Sequence, residues 1–180
     1  MSATGAKSAK SVTTKFIDYP QEIHPERLIA LKFLNDNKFR GKTVLDIGCG
    51  MKKTVPQIIG VDIRPLADLV CSGDALQFPN NSVDLIISRH SFEHMLNPVK
   101  TLWEWIRVLK TNGGICFVLP DHEKINTMLP LYTGPDYEHL HAYTRESFAD
   151  LIALFPKLRV SDYGTVIENW SFYFIVVKEF

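Results

Sequence analysis

Val44-Leu45-Asp46-Ile47-Gly48-Cys49-Gly50 decides how this chain is read. It is a short β-prone run that carries an acid and is stopped by a Gly-x-Gly turn. Glycines at a strand end let a ligand approach the backbone without meeting a Cβ. An isolated pair of glycines is weak evidence, so the surroundings must carry the reading. After Met51 to Gln57 comes a second run, Ile58-Ile59-Gly60-Val61-Asp62-Ile63, again with an acid near its end, and Asp74 follows a weaker third run at Asp68 to Cys71. A carboxylate at the end of the second strand can accept both hydroxyl protons of a ribose.

The turn narrows the ligand class. A dinucleotide turn wants a third glycine where this chain has Lys53, and an acid about 20 residues on, whereas Asp62 comes 14 residues after Gly48. The Gly-Lys-Ser/Thr ending of a P-loop is absent, which disfavours a triphosphate. S-adenosylmethionine carries no phosphate, so neither a third glycine nor a phosphate-binding lysine is required.

Outward from this segment, strand-like and helix-like runs alternate. Leu28, Ile29, Leu31, Phe33 and Leu34 mark a leading helix, and Val83 to Ser88 a fourth strand. Asn97-Pro98 opens a helix carrying Val99, Leu102, Trp103, Ile106 and Leu109, which the Asn112-Gly113-Gly114 turn is expected to end. Ile115 to Leu119 reads as a fifth strand, Phe148 to Phe155 as a helix, and Leu158 to Tyr163 and Ser171 to Val177 as an antiparallel closing pair. Alternation of this kind calls for a parallel sheet covered on both faces, with ligands at the carboxyl ends of its strands.

Composition agrees. The 180 residues are 46% hydrophobic and 22% charged, with 20 Lys+Arg balancing 20 Asp+Glu. This is ordinary globular composition, and zero net charge argues against a sequence-blind nucleic-acid footprint. No apolar run reaches the length of a membrane span and the polar N-terminus lacks a signal-peptide core, so a cytoplasmic protein without membrane association is expected. Cys49, Cys71 and Cys116 lack CxxC spacing and read as buried thiols. Residues 1–14 are Ser/Thr/Ala/Lys-rich and read as a flexible tail, leaving 15–180 as one domain.

From Lys42 to Leu119 the sequence resembles the class I S-adenosylmethionine-dependent methyltransferases, and most closely their small type 11 family. Asp46-x-Gly48-x-Gly50 matches the first motif, Asp62 the ribose acid, and Gly73-Asp74-Ala75-Leu76 the adenine-holding segment. Ser82 to Ile86 with Glu93-His94, and Arg107 to Lys110 with Gly113-Gly114, match later blocks. The resemblance implies an α/β fold: a Rossmann-like, doubly wound, mostly parallel seven-stranded sheet with an antiparallel last strand. It implies S-adenosylmethionine as cofactor, held by Asp46, Gly48, Cys49, Gly50, Asp62, Ile63, Asp74, Ala75, Arg89 and His90. Two departures stand out. Met51 to Gln57, interrupted by Pro56, is too short for the usual helix after the first strand, so that helix is expected to be shortened or missing. Lys52 or Lys53 is then a candidate partner for the methionine carboxylate. Asn112 stands where the family often has Pro.

The methyl acceptor is expected at one of two places: beside the fourth strand, with His94, or under a lid from Asp121 to Tyr143 containing Tyr132, His139 and His141. His94, His139 and His141 are the catalytic candidates. His139-x-His141 alone does not make a metal site, since further ligands are not identifiable, and no metal is expected. A methyltransferase acting on a small-molecule or sugar-like acceptor, at oxygen, follows. The rivals are a cofactor-binding module that activates a partner, and a protein or RNA methyltransferase using the basic tail.

Overall fold

A computed structural model describes residues 24–125 and 139–180. Helix α1 (Pro25–Asp36) precedes β1 (Val44–Ile47), β2 (Ile59–Asp62), β3 (Leu69–Val70) and β4 (Val83–Arg89). A single 3-10 turn at Phe92–His94 leads to α2 (Pro98–Val108) and β5 (Leu109–Pro120), and α3 (Arg145–Ala153), β6 (Leu158–Ile167) and β7 (Ser171–Lys178) complete the order. The expected tail at 1–14 and Tyr132 of the expected lid lie outside the described residues. No described helix is long and apolar enough to cross a membrane.

The seven strands form one sheet in the order β3-β2-β1-β4-β5-β7-β6. The first five run parallel, and β7 lies antiparallel to both β5 and β6. Strand order therefore reverses between β1 and β4, which opens a crevice at their carboxyl ends. All four residues of β1 are buried, as befits a central parallel strand covered on both faces. Leu31, Phe33 and Leu34 of α1 pack on one face, while Leu102, Trp105 and Ile106 of α2 and Phe148 and Ile152 of α3 pack on the other.

The helix ends follow local chemistry. Asn97 accepts from Lys100 N at 2.9 Å and Pro98 supplies the first helical residue of α2. Thr144 and Ser147 form a reciprocal capping box on α3. The Asn112-Gly113-Gly114 turn does not end α2 as the sequence suggested. The helix stops at Val108, and residues 110–113 bulge out of β5, because Val83 pairs with Leu109 while Leu85 pairs with Gly114. Lys110 Nζ holds both oxygens of Asp84 at 2.9 Å, and a Cβ on Gly113 would stand 2.8 Å from Lys110 O and 2.9 Å from Asp84 O. Charge pairing and close backbone contact thus fold the turn into the strand.

Phe148 anchors α3 to the sheet, its ring meeting Phe92, Phe117, Tyr143, Phe172 and Phe174 at centroid distances of 5.0–6.1 Å. Phe148→Ala should lower unfolding free energy by about 3–5 kcal/mol, measured by denaturant titration; a loss below about 1 kcal/mol would show that α3 contributes little to the core.

Candidate functional site

The Gly-x-Gly turn follows β1 with both glycines in the left-handed region, Gly48 at φ +69° and Gly50 at φ +56°. At Gly48 conformation is only half the reason. An added Cβ would lie 2.2 Å from Ser91 Cβ, so the first neighbour that excludes a side chain there is the chain itself. Ser91 sits just past β4, and its hydroxyl donates to Ile47 O at 2.8 Å and lies 2.7 Å from Ser88 Oγ. Gly48 N donates to Val61 O at 2.8 Å, tying the turn to β2 as well.

Residues 51–57 form turns without a helix, as expected from their number. Thr54, fully buried, organises them. Its N–H donates to Asp46 Oδ2, its hydroxyl accepts from Arg89 Nε at 3.2 Å, and its carbonyl accepts from Arg27 Nε and Nη2 at 3.1 and 2.8 Å. Burial raises the Asp46 carboxyl above its ordinary pKa against the pull of the Arg89 charge and the Thr54 amide. Asp46 and Arg89 therefore stand beneath the turn as its supports. Lys53 Nζ donates to Pro56 O, Ile58 O and Asp68 Oδ2 at 2.7–2.9 Å, so it is spent on the loop and is not poised for a ligand carboxylate. Cys49 is buried beside Gly60, and burial, reinforced by Asp46 and Asp62, pushes its thiol up to about 11.

Asp62 ends β2 facing the same turn. Its Oδ2 accepts from Gly50 N at 2.8 Å and its Oδ1 from Arg64 N at 3.0 Å. An ionised carboxylate offers about four acceptor positions, so capacity remains for a ligand's hydroxyls. Ile63 beside it is 74% exposed, an apolar surface at the crevice rim. Asp74 accepts from Ser72 Oγ at 2.5 Å and Lys100 Nζ at 3.0 Å, and these bonds hold its carboxyl below the ordinary range. The segment with Asp74 and Ala75 is pinned to α2: Trp105 Nε1 donates to Gly73 O at 2.8 Å, and Glu104 Oε1 accepts from Leu76 N at 2.8 Å.

The described end of the expected lid meets the turn after β4. The rings of His94 and His139 stand 4.7 Å apart, and His141 Nε2 lies 2.9 Å from Met95 O. Leu140 N and His141 N both donate to Glu93 O, at 3.0 and 3.1 Å, stitching residues 139–141 to the turn after β4. His90, at φ +47°, is committed elsewhere: Nε2 to Glu26 Oε1 at 2.8 Å, with Nδ1 3.5 Å from Glu93 Oε1. Burial alone would lower its pKa, but the hydrogen bond to Glu26 and the charges of Glu26 and Glu93 raise it to about 9. Sequence reasoning missed Glu26, Thr54 and Ser91, and gave Glu93 no role. The adjacency Glu93-His94 was the signal available; Glu26 and Thr54 are distant in sequence from everything they touch.

The model of a family described as a methyltransferase domain matches residues 23–155. A ribosomal protein L11 methyltransferase of Enterobacter sp. (strain 638) is 29% identical over 51% of this chain, and the match spans 38% of that protein's length. A SAM-dependent methyltransferase from Aquifex aeolicus superposes with a TM-score of 0.65 at 18% identity, covering 82% of this chain and 88% of that one. A Haloferax volcanii structure, a complex between the Trm112 methyltransferase activator and a methyltransferase, gives 0.64 at 16% identity, covering 86% and 94%. At these identities the structural likenesses speak to the fold alone.

Gly48→Ala should destabilise the protein by about 1–3 kcal/mol, by overpacking against Ser91. Adding Ser91→Gly should recover part of that loss, giving a coupling of at least ~0.5 kcal/mol in a double-mutant cycle. Simple additivity of the two substitutions would show that Ser91 is not what excludes a side chain at position 48.

Proposed function

The chain belongs to the methyltransferase-domain family, and on that premise we propose that residues 15–180 act as one domain transferring a methyl group from S-adenosylmethionine to an oxygen of a small-molecule or sugar-like acceptor. The observation that carries the reading is the pairing of a left-handed Gly-x-Gly turn after β1 with Asp62 at the end of β2, hydrogen-bonded to each other through Gly50 N. The turn stands where strand order reverses, and Asp62 at the end of the adjacent strand.

The backbone of Gly48, Cys49 and Gly50 borders the methionine part of the donor. Asp62 takes the ribose hydroxyls, Ile63 gives the base an apolar face, and Asp74 and Ala75 hold its polar edge. Asp46, Arg89 and His90 act by holding this frame. The donor's sulfonium methyl is already electrophilic, so the protein's task is mainly to align an acceptor atom opposite sulfur and exclude water. On attack the carbon-sulfur electron pair stays on sulfur, leaving S-adenosylhomocysteine. On this reading His94, which follows β4, and His139 and His141, which are joined to the same turn, are the catalytic candidates facing the acceptor.

A second reading has one observation in its favour. Ile63, Leu66 and Val70 are exposed at the β3 edge of the sheet, and a methyltransferase of similar fold is known in complex with a protein activator. Turnover of donor by the isolated chain with candidate acceptors would exclude an obligate partner.

Asp62→Ala should weaken S-adenosylhomocysteine binding by roughly 10- to 100-fold, the loss of about 1.5–3 kcal/mol expected for hydrogen bonds to a charged acceptor. Calorimetry on a variant shown to be folded by circular dichroism checks it; unchanged affinity would remove Asp62 from the donor site.

A further inference from the structure

Glu93 is 0% exposed, yet neither of its carboxylate oxygens has a hydrogen-bond partner among the described residues. A buried carboxylate without hydrogen bonds is expensive, and the His90 charge 3.5 Å away offsets its desolvation only in part. His90 Nδ1 stands 3.5 Å and His139 Nε2 3.8 Å from Oε1. Both distances exceed the 2.7–3.2 Å of a formed N–H···O bond.

The same distances suit atoms gathered around a cation. Ligands about 2.0–2.1 Å from a tetrahedral zinc ion lie about 3.4 Å from one another. Candidate ligand atoms of Glu93, His94 and His139 all lie within 4.8 Å of one another. The sequence offered His139 only with His141; the structure instead turns His141 to Met95 O and brings His139 to Glu93 and His94. Leu140 N and His141 N fix the strap to Glu93 O, so the ligands are assembled by backbone bonds before any ion arrives. Tyr143, whose hydroxyl is buried without a partner among the described residues, feels the Glu93 charge, which adds to burial in raising its pKa. Outside the group, the Glu26–His90 pair stands behind the Glu93 carboxylate, as outer partners commonly do behind metal-bound acids.

We propose that Glu93, His94 and His139 form a binding site for one divalent transition-metal ion of the zinc class, at the carboxyl ends of β4 and β5. Two imidazoles and one carboxylate are a ligand set that zinc accepts while keeping a position open for water or an oxygen ligand. The proposal takes from the proposed function only that this end of the sheet also holds the methyl donor. It gives His94 and His139 a role as ligands.

Zinc titrated calorimetrically into the full chain, stripped with chelator and dialysed, should bind one to one with micromolar or tighter affinity. Glu93→Gln, His94→Ala and His139→Ala should each weaken binding tenfold or more, while His122→Ala leaves it unchanged. Cobalt(II) in place of zinc should give the visible absorption of a low-coordinate ion in the parent protein and lose it in His139→Ala. Should Glu93→Gln fail to fold, the two histidine variants decide. Absence of saturable one-to-one binding, or affinity retained in both His94→Ala and His139→Ala, would overturn the site. S-adenosylhomocysteine binding, measured on the same stripped protein, reports on the donor site separately, so the two readings fail independently.

Discussion

The close approach of Ser91 to Gly48 is the contact on which the rest of the site depends. Ser91 fills the space that a side chain at position 48 would need, and its hydroxyl joins Ile47 O to Ser88 Oγ. That links the carboxyl ends of β1 and β4, the two strands on either side of the order reversal. With the seam closed, Gly48 must be left-handed, its N–H turns to Val61 O, and Gly50 N is carried round to Asp62. One serine and one missing Cβ thus set the mouth of the crevice and the position of its principal acid.

The second constraint is how a chain with only eleven residues between its first two strands, seven of them after the glycine turn, replaces the helix that its fold normally places there. A helix would satisfy its own backbone and present a positive N-terminal end. Here a buried threonine does the first task, with its N–H, hydroxyl and carbonyl claimed by Asp46, Arg89 and Arg27. Lys53 does the same for Pro56 O and Ile58 O and ties Asp68 to the loop. Such a network holds its shape because its buried polar groups are hydrogen-bonded to one another; removing one partner would strand another. The loop is therefore specified by polar chemistry, with little help from local propensity.

This difference explains what could be read from the sequence. Strands such as β1 and β4, whose apolar runs are nearly continuous, and α2, with its Asn97-Pro98 start, declare themselves locally. The glycine turn and Asp62 are legible because they are close in sequence and their chemistry is specific. Asn112-Gly113-Gly114 was misread as a helix stop because turn residues report curvature, not which element curves, and the Lys110–Asp84 pair that draws the turn into β5 spans 26 residues. Glu26 escaped notice for a similar reason: it lies on a helix whose partner, His90, is 64 residues away.

The histidines make the point most sharply. As sequence, the turn after β4 and the strap reaching His141 look like rival acceptor sites, since Glu93 and His139 are 46 residues apart. Yet β4 and β5 are adjacent parallel strands, and neighbouring strands in a sheet lie about 4.8 Å apart. Segments leaving the same end of such a pair start side by side, whatever length of chain separates them. Residues that follow neighbouring parallel strands should therefore be considered together before residues that merely follow one another, and on that rule His139 and His141 are read with Glu93, His94 and Met95, not as an isolated His-x-His pair.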